Sequence, residues 1–154
     1  MDYLFTILIQ NRKLLYAILR KTRTEDLFVI PDGFRNHLYW NIAHVVVTQQ
    51  LITYGLSDLP LKVPPDWVKR YAKGTVPDNE AVPDSEITQL EELLLATIEQ
   101  TREDFRNGIF KTYKAYTTST GVRLGSLEEA LAFNVYHEGL HLGAVLALKK
   151  AINA

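Results

Sequence analysis

Apolar residues recur at three- and four-residue intervals along four long stretches of this chain. Over residues 3–21, Leu4, Ile7, Leu8, Leu14, Leu15, Ile18 and Leu19 mostly keep that spacing, which predicts an amphipathic helix. Pro31-Asp32-Gly33 then breaks the chain, and Asp32 is the expected N-cap of a second helix over 34–54. Val45-Val46-Val47 alone would suit a strand, but the segment is long and free of breakers, so helix is expected. Ile87, Leu90, Leu94 and Ile98 form the stripe of a third helix over 84–104, with Asp84 or Ser85 as its cap. Ser126 and Glu129 make a capping box ahead of a fourth helix over 127–152. The fourth helix is apolar around most of its circumference and is expected to be central.

The segments between these helices differ from them in character. Residues 55–83 hold five of the six prolines, Pro60, Pro64, Pro65, Pro77 and Pro83. They read as a long surface connection carrying one short helix, DWVKRYAK, with Pro65 near its start and Gly74 past its end. Residues 105–125 are rich in Thr and Tyr and read as irregular. Four long helices with one long crossover predict an all-α four-helix bundle, one domain over residues 1–154. Alternating strand–helix units and a glycine-rich phosphate loop are both missing, which argues against a nucleotide-binding α/β fold.

Composition narrows the function classes. Lys+Arg is 17 against 18 for Asp+Glu, so the basic excess of a nucleic-acid binder is lacking. There is no cysteine, which removes thiolate zinc clusters, disulfides and a cysteine nucleophile. The start, MDYLFTILIQNRK, has no basic n-region and only a short apolar run, so it does not read as a signal peptide, and a cytoplasmic protein is expected.

The chemistry lies in the stretch FNVYHEGLHLGAVLAL, residues 133–148. His137 and His141 are four residues apart, so their side chains sit ~40° apart on one helix face, one turn along. Ala130, Phe133, Leu140, Ala144, Ala147 and Ala151 lie on and around that face, which predicts histidines turned toward the core. Two buried imidazoles are either hydrogen-bonded core residues or ligands of one ion, and the pair alone leaves both readings open. His44 sits at mid-length in the second helix among Ile42, Val45 and Val46. With it, two facing helices would bring three imidazoles together. Such a site leaves a coordination position for water or substrate, and spacing does not choose among zinc, nickel and similar ions. His37 lies ~10 Å along the helix from His44 and reads as a surface or mouth residue. Tyr113 and Tyr116 are candidates for the pocket wall.

His137-Glu138-Gly-Leu-His141 also matches the H-E-x-x-H of zinc proteases. A protease reading needs a third ligand downstream, but residues 142–154 contain no His, Asp or Glu, and Ala144 stands where the longer motif has glycine. Glu138, ~100° around the helix from His137 and ~60° from His141, could hydrogen-bond a ligand histidine, serve as a base at the cavity edge, or be exposed. Asn134 and Asn41, one turn before His137 and His44, are further candidates for hydrogen bonds to ligand rings.

The chain resembles the DinB/YfiT-like superfamily of small metal-binding four-helix proteins. WNIAHVVVTQQLITYGLSDLP (40–60), WVKRYAKGTVP (67–77), GSLEEALAFNVYHEGLHLG (125–143) and the helix order carry the resemblance, which covers essentially the whole chain. It implies that His44, His137 and His141 bind a divalent nickel or zinc ion, and that the protein is a homodimer. Some relatives are thiol S-transferases or isomerases that use a low-molecular-weight thiol such as bacillithiol or mycothiol. Members often carry an acidic residue about a turn after the second-helix histidine, where this chain has Thr48, Gln49 and Gln50. The expectation is a metal-dependent enzyme of thiol-transferase or hydrolase type acting on a small molecule. The alternatives are a non-catalytic metal- or ligand-binding module and an interaction protein without metal.

Overall fold

The first and third long stretches form helices by pairing an apolar stripe with good helix formers, whereas the second, rich in β-branched and aromatic residues, is held helical by burial on nearly every side. The structure is a computed structural model and describes residues 1–77 and 80–153. Helix α1 runs Asp2–Lys21, a short α2 Thr24–Leu27, α3 Leu38–Thr53, α4 Pro65–Tyr71, α5 Asp84–Arg106 and α6 Leu127–Ile152. The long helices α1, α3, α5 and α6 make the bundle. Helix α1 packs on α5 and α6, and α3 packs on the same two, so α1 lies diagonal to α3. The fold is all-α apart from two short antiparallel strands, β1 (Tyr116–Thr117) and β2 (Arg123–Leu124), which pair Tyr116 with Leu124 inside the segment expected to be irregular.

Several helix ends differ from expectation for local reasons. Helix α3 starts at Leu38, not near residue 34, and its N-cap is His37 rather than Asp32. The His37 ring accepts the Trp40 backbone N–H at 3.0 Å, satisfying one of the helix's free donors. His37 is 3% exposed, so it is a buried capping residue, not a surface or mouth residue. Helix α5 begins at Asp84 after Pro83, with no side-chain cap. The Ser126 cap is as expected, its hydroxyl accepting from the Glu129 N–H. The returning carboxylate of Glu129 bonds the Gly125 N–H, one residue earlier than in the standard box.

The most buried helix is α3, not α6. Every α3 residue except Thr48 and Leu51 is buried, because α5, α6, α4 and the following loop enclose it. Helix α6 buries one side only, through Leu127, Ala130, Leu131, Asn134, Glu138, Val145 and Leu148. Tyr136, Leu140 and Leu146 on its other side are each about half exposed. The expectation that α6 is central is thereby corrected: its apolar circumference exceeds what the bundle covers. Among the described residues, no helix is long and apolar enough to cross a membrane.

Candidate metal centre

His44 lies inside α3 under Trp40, whose ring stacks on it at 4.6 Å and 9°. Its Nδ1 is 2.6 Å from the backbone carbonyl of Tyr71. A carbonyl only accepts, so Nδ1 holds the proton and Nε2 presents its lone pair. Tyr71 ends α4, where carbonyls lack helical partners. Its position is set by Glu86 at the start of α5, which accepts from the Tyr71 hydroxyl and from Arg70, each at 2.7 Å.

His141 is oriented in the same way from α3. The Asn41 amide nitrogen donates to the His37 carbonyl at 3.0 Å, so its oxygen faces His141 Nδ1 at 2.9 Å and receives that proton. His141 Nε2 is therefore a second free lone pair. His137 completes the group, with Nε2 3.2 Å from His44 Nε2 and Nδ1 buried with no partner. The three ring centroids form a near-equilateral triangle of 5.1, 4.6 and 4.6 Å, and one nitrogen from each ring lies within 4.8 Å of the others.

These residues fit a divalent ion. Two nitrogens bound tetrahedrally at about 2.0–2.1 Å stand roughly 3.3 Å apart, close to the observed 3.2 Å between His44 and His137. Burial holds all three imidazoles neutral, the form that ligates. It pulls His137 down to about 3, assisted by His141 and His44, and His141 down to about 4, assisted by His44. Burial also lowers His44, and its bond to the Tyr71 carbonyl partly opposes that shift. Among the described residues His137 Nδ1 has no partner, and the only protein groups within reach of His44 Nε2 are the Thr48 hydroxyl and His137 Nε2, each at 3.2 Å. The three neutral rings thus make a donor set that an ion can join.

The imidazoles open onto a cavity of about 600 Å³ between α3, α6, the loop after α4 and the β1–β2 turn. Leu51, Leu56, Phe133 and Leu140 are among its apolar lining residues; Thr48, Lys73 and Tyr116 are among its polar ones. The Thr48 hydroxyl is 3.2 Å from His44 Nε2, while Gln49 and Gln50 turn away into a buried amide–hydroxyl network with Thr101. Of the two tyrosine candidates, Tyr116 lines the cavity; Tyr113 does not, and instead donates its hydroxyl to the Ile52 carbonyl.

Glu138 occupies a different place. It is fully buried and bonds Arg12 of α1 at 2.9 Å, with the Asn134 amide donating to the same oxygen at 2.9 Å. Arg12 also donates to the carbonyls of Leu94 and Val45. Burial pushes the Glu138 carboxyl up, and Arg12 and Asn134 pull against that. Neither Glu138 nor Asn134 hydrogen-bonds a histidine of the cluster. From sequence, the run Asn11-Arg12-Lys13 reads as a solvated face of the first helix, whereas Arg12 is fully buried; the Tyr71 carbonyl and the Trp40 stack were missed. Arg12 had left a trace, a cation on the helix stretch bounded by Ile9 and Leu15, whereas a backbone carbonyl leaves none.

With this geometry in view, a family comparison gives the class. The model of the DinB superfamily matches residues 7–145, and the chain belongs to that superfamily. It is a helical DinB-like protein with a three-histidine group able to hold a divalent ion. No curated protein matches it.

Proposed function

We propose that this protein is a metal-dependent enzyme in which His44, His137 and His141 hold a nickel or zinc ion and a small molecule reacts in the adjoining cavity. The observation that carries this reading is that three imidazoles, two with their tautomers set by protein groups, converge where a cavity of about 600 Å³ begins. A purely structural site would be closed by a fourth protein ligand. A divalent ion there would supply Lewis acidity, lowering the pKa of a thiol or water bound beside it.

The chain's own residues do the rest. Tyr71 and Asn41 hold two imidazoles in the ligating tautomer, and Leu51, Leu56 and Phe133 exclude water around the second reactant. Among the described residues no carboxylate lines the cavity, so none of these lining side chains is a carboxylate base. That favours a nucleophile with an easily lost proton, and a thiol loses its proton far more readily than water does. In such a transfer the thiolate sulfur forms a bond to an electrophilic carbon, and the leaving group departs with the bonding pair. Peptidase chemistry finds no support, because Glu138 faces Arg12 rather than the imidazoles. The exposed apolar side of α6, with Tyr136, Leu140 and Leu146, supports a homodimer, and we assign the protein to the cytoplasm.

The test is an activity assay on nickel- or zinc-loaded protein with a low-molecular-weight thiol and an activated aromatic electrophile. Thiol loss that stops on chelation is expected. Chelator-sensitive ester cleavage without thiol loss would move the assignment to hydrolase. No metal-dependent turnover of either kind would leave a non-catalytic binding module.

A further inference from the structure

The cavity walls and the cavity rim differ in polarity. Leu51, Leu56 and Phe133 make the walls apolar, whereas the exposed residues Lys73, Ser119 and Thr120 line the same space, the Thr120 hydroxyl already meeting that of Thr118 at 3.0 Å. Lys73 is the one charged side chain among the cavity's described lining residues. No carboxylate shares that lining, and Lys73 has no ion pair with any described residue. Lys73 lies two residues beyond Tyr71, whose carbonyl orients His44, and it lines the same cavity as the three imidazoles.

A cation that has no ion pair among the described residues and lies beside low-dielectric walls attracts anions and repels amines. A carboxylate suits such a cation, because it accepts charge-assisted hydrogen bonds. A single lysine matches a single negative charge. A volume of about 600 Å³ falls within the range of small-ligand sites. We propose that the cavity binds a small amphiphilic carboxylate. Its apolar body lies against Leu51, Leu56 and Phe133, its carboxylate meets Lys73 at the rim, and its far end points toward the imidazoles. The proposal rests on the reading that a small molecule occupies this cavity, and it does not require the ion.

The experiment is calorimetric titration of the full chain, after chelation and again zinc-loaded, with octanoate, octan-1-ol and octylamine. In the chelated protein, octanoate is expected to bind about tenfold tighter than either analogue, the size of one charge-assisted contact. Lys73→Met should bring octanoate to the level of octan-1-ol without changing the alcohol, and Lys73→Arg should restore it. Equal affinity for octanoate and octan-1-ol, no effect of Lys73→Met, or no binding of any probe would overturn the proposal. The chelated arm isolates the rim cation from any carboxylate–ion contact. Failure there with metal content intact leaves the metal reading standing, and loss of metal with octanoate binding intact does the reverse.

Discussion

Within two turns of α6, residues 134–141, the helix supports two polar centres built in opposite ways. On one side, Glu138 and Asn134 meet Arg12 in a sealed, charged cluster whose main contacts come from α1, α3 and α5. On the other, His137 and His141 meet His44 in a neutral cluster beside an open cavity. The protein supplies the first centre's cation itself. In the second, lone pairs converge with nothing of opposite charge among them. Glu138 Oε2 and Asn134 Oδ1 lack partners just as His137 Nδ1 does, so the difference lies elsewhere. The first centre's carboxylate is paired with the protein's own guanidinium, whereas the second is a neutral donor set beside an open cavity. The H-E-x-x-H spacing does not distinguish the two, because its glutamate and its histidines face different helices.

The largest expected effect separates the centres by metal content. His137→Ala/His141→Ala should take bound metal from near one equivalent to near none in protein purified without an affinity tag, measured by elemental analysis. Unchanged metal content would dissolve the distinction.

Glu138→Ala should act on the other centre. Leaving the Arg12 charge buried and unpaired is expected to cost about 3–5 kcal/mol in urea unfolding, with metal per folded molecule unchanged. Replacing both partners with apolar residues, Arg12→Met/Glu138→Leu, should recover most of that loss. If Glu138→Ala instead abolishes metal binding while the chain stays folded, the two faces are one site.

The smallest effect sharpens the comparison through pH. His137 and His141 titrate at about 3 and about 4 in the folded chain, against roughly 6.5 when unfolded. Because the folded values are depressed, the unfolded chain takes up protons first. The metal-free protein should therefore hold its stability above about pH 6.5 and lose it progressively as pH falls toward those folded values. Urea midpoints at pH 7.5 and 5.5 check this. The double alanine variant should show a flatter dependence over that interval, and an equally steep one would assign the pH response elsewhere.

Much of this architecture was legible in the chain. The four long helices, the Ser126 cap, the short helix after Pro64-Pro65 and the convergence of His44 with His137 and His141 all follow from spacing. The places that were not legible share a cause. His37 reads as a mouth residue until its ring is seen capping α3. Asn41 was expected near His44 but reaches His141 across the helix interface. Glu138 finds its partner 126 positions away.

Periodicity, caps and the i, i+4 histidine pair are local properties, written in neighbouring residues and set by helix geometry, so they were determined before any packing. Which side of the uniformly apolar α6 is buried, which residue closes on Glu138, and which carbonyl aims His44 were decided only in the tertiary structure. Those outcomes depend on how much of each helix its neighbours can cover, and on backbone groups that carry no signature in the sequence.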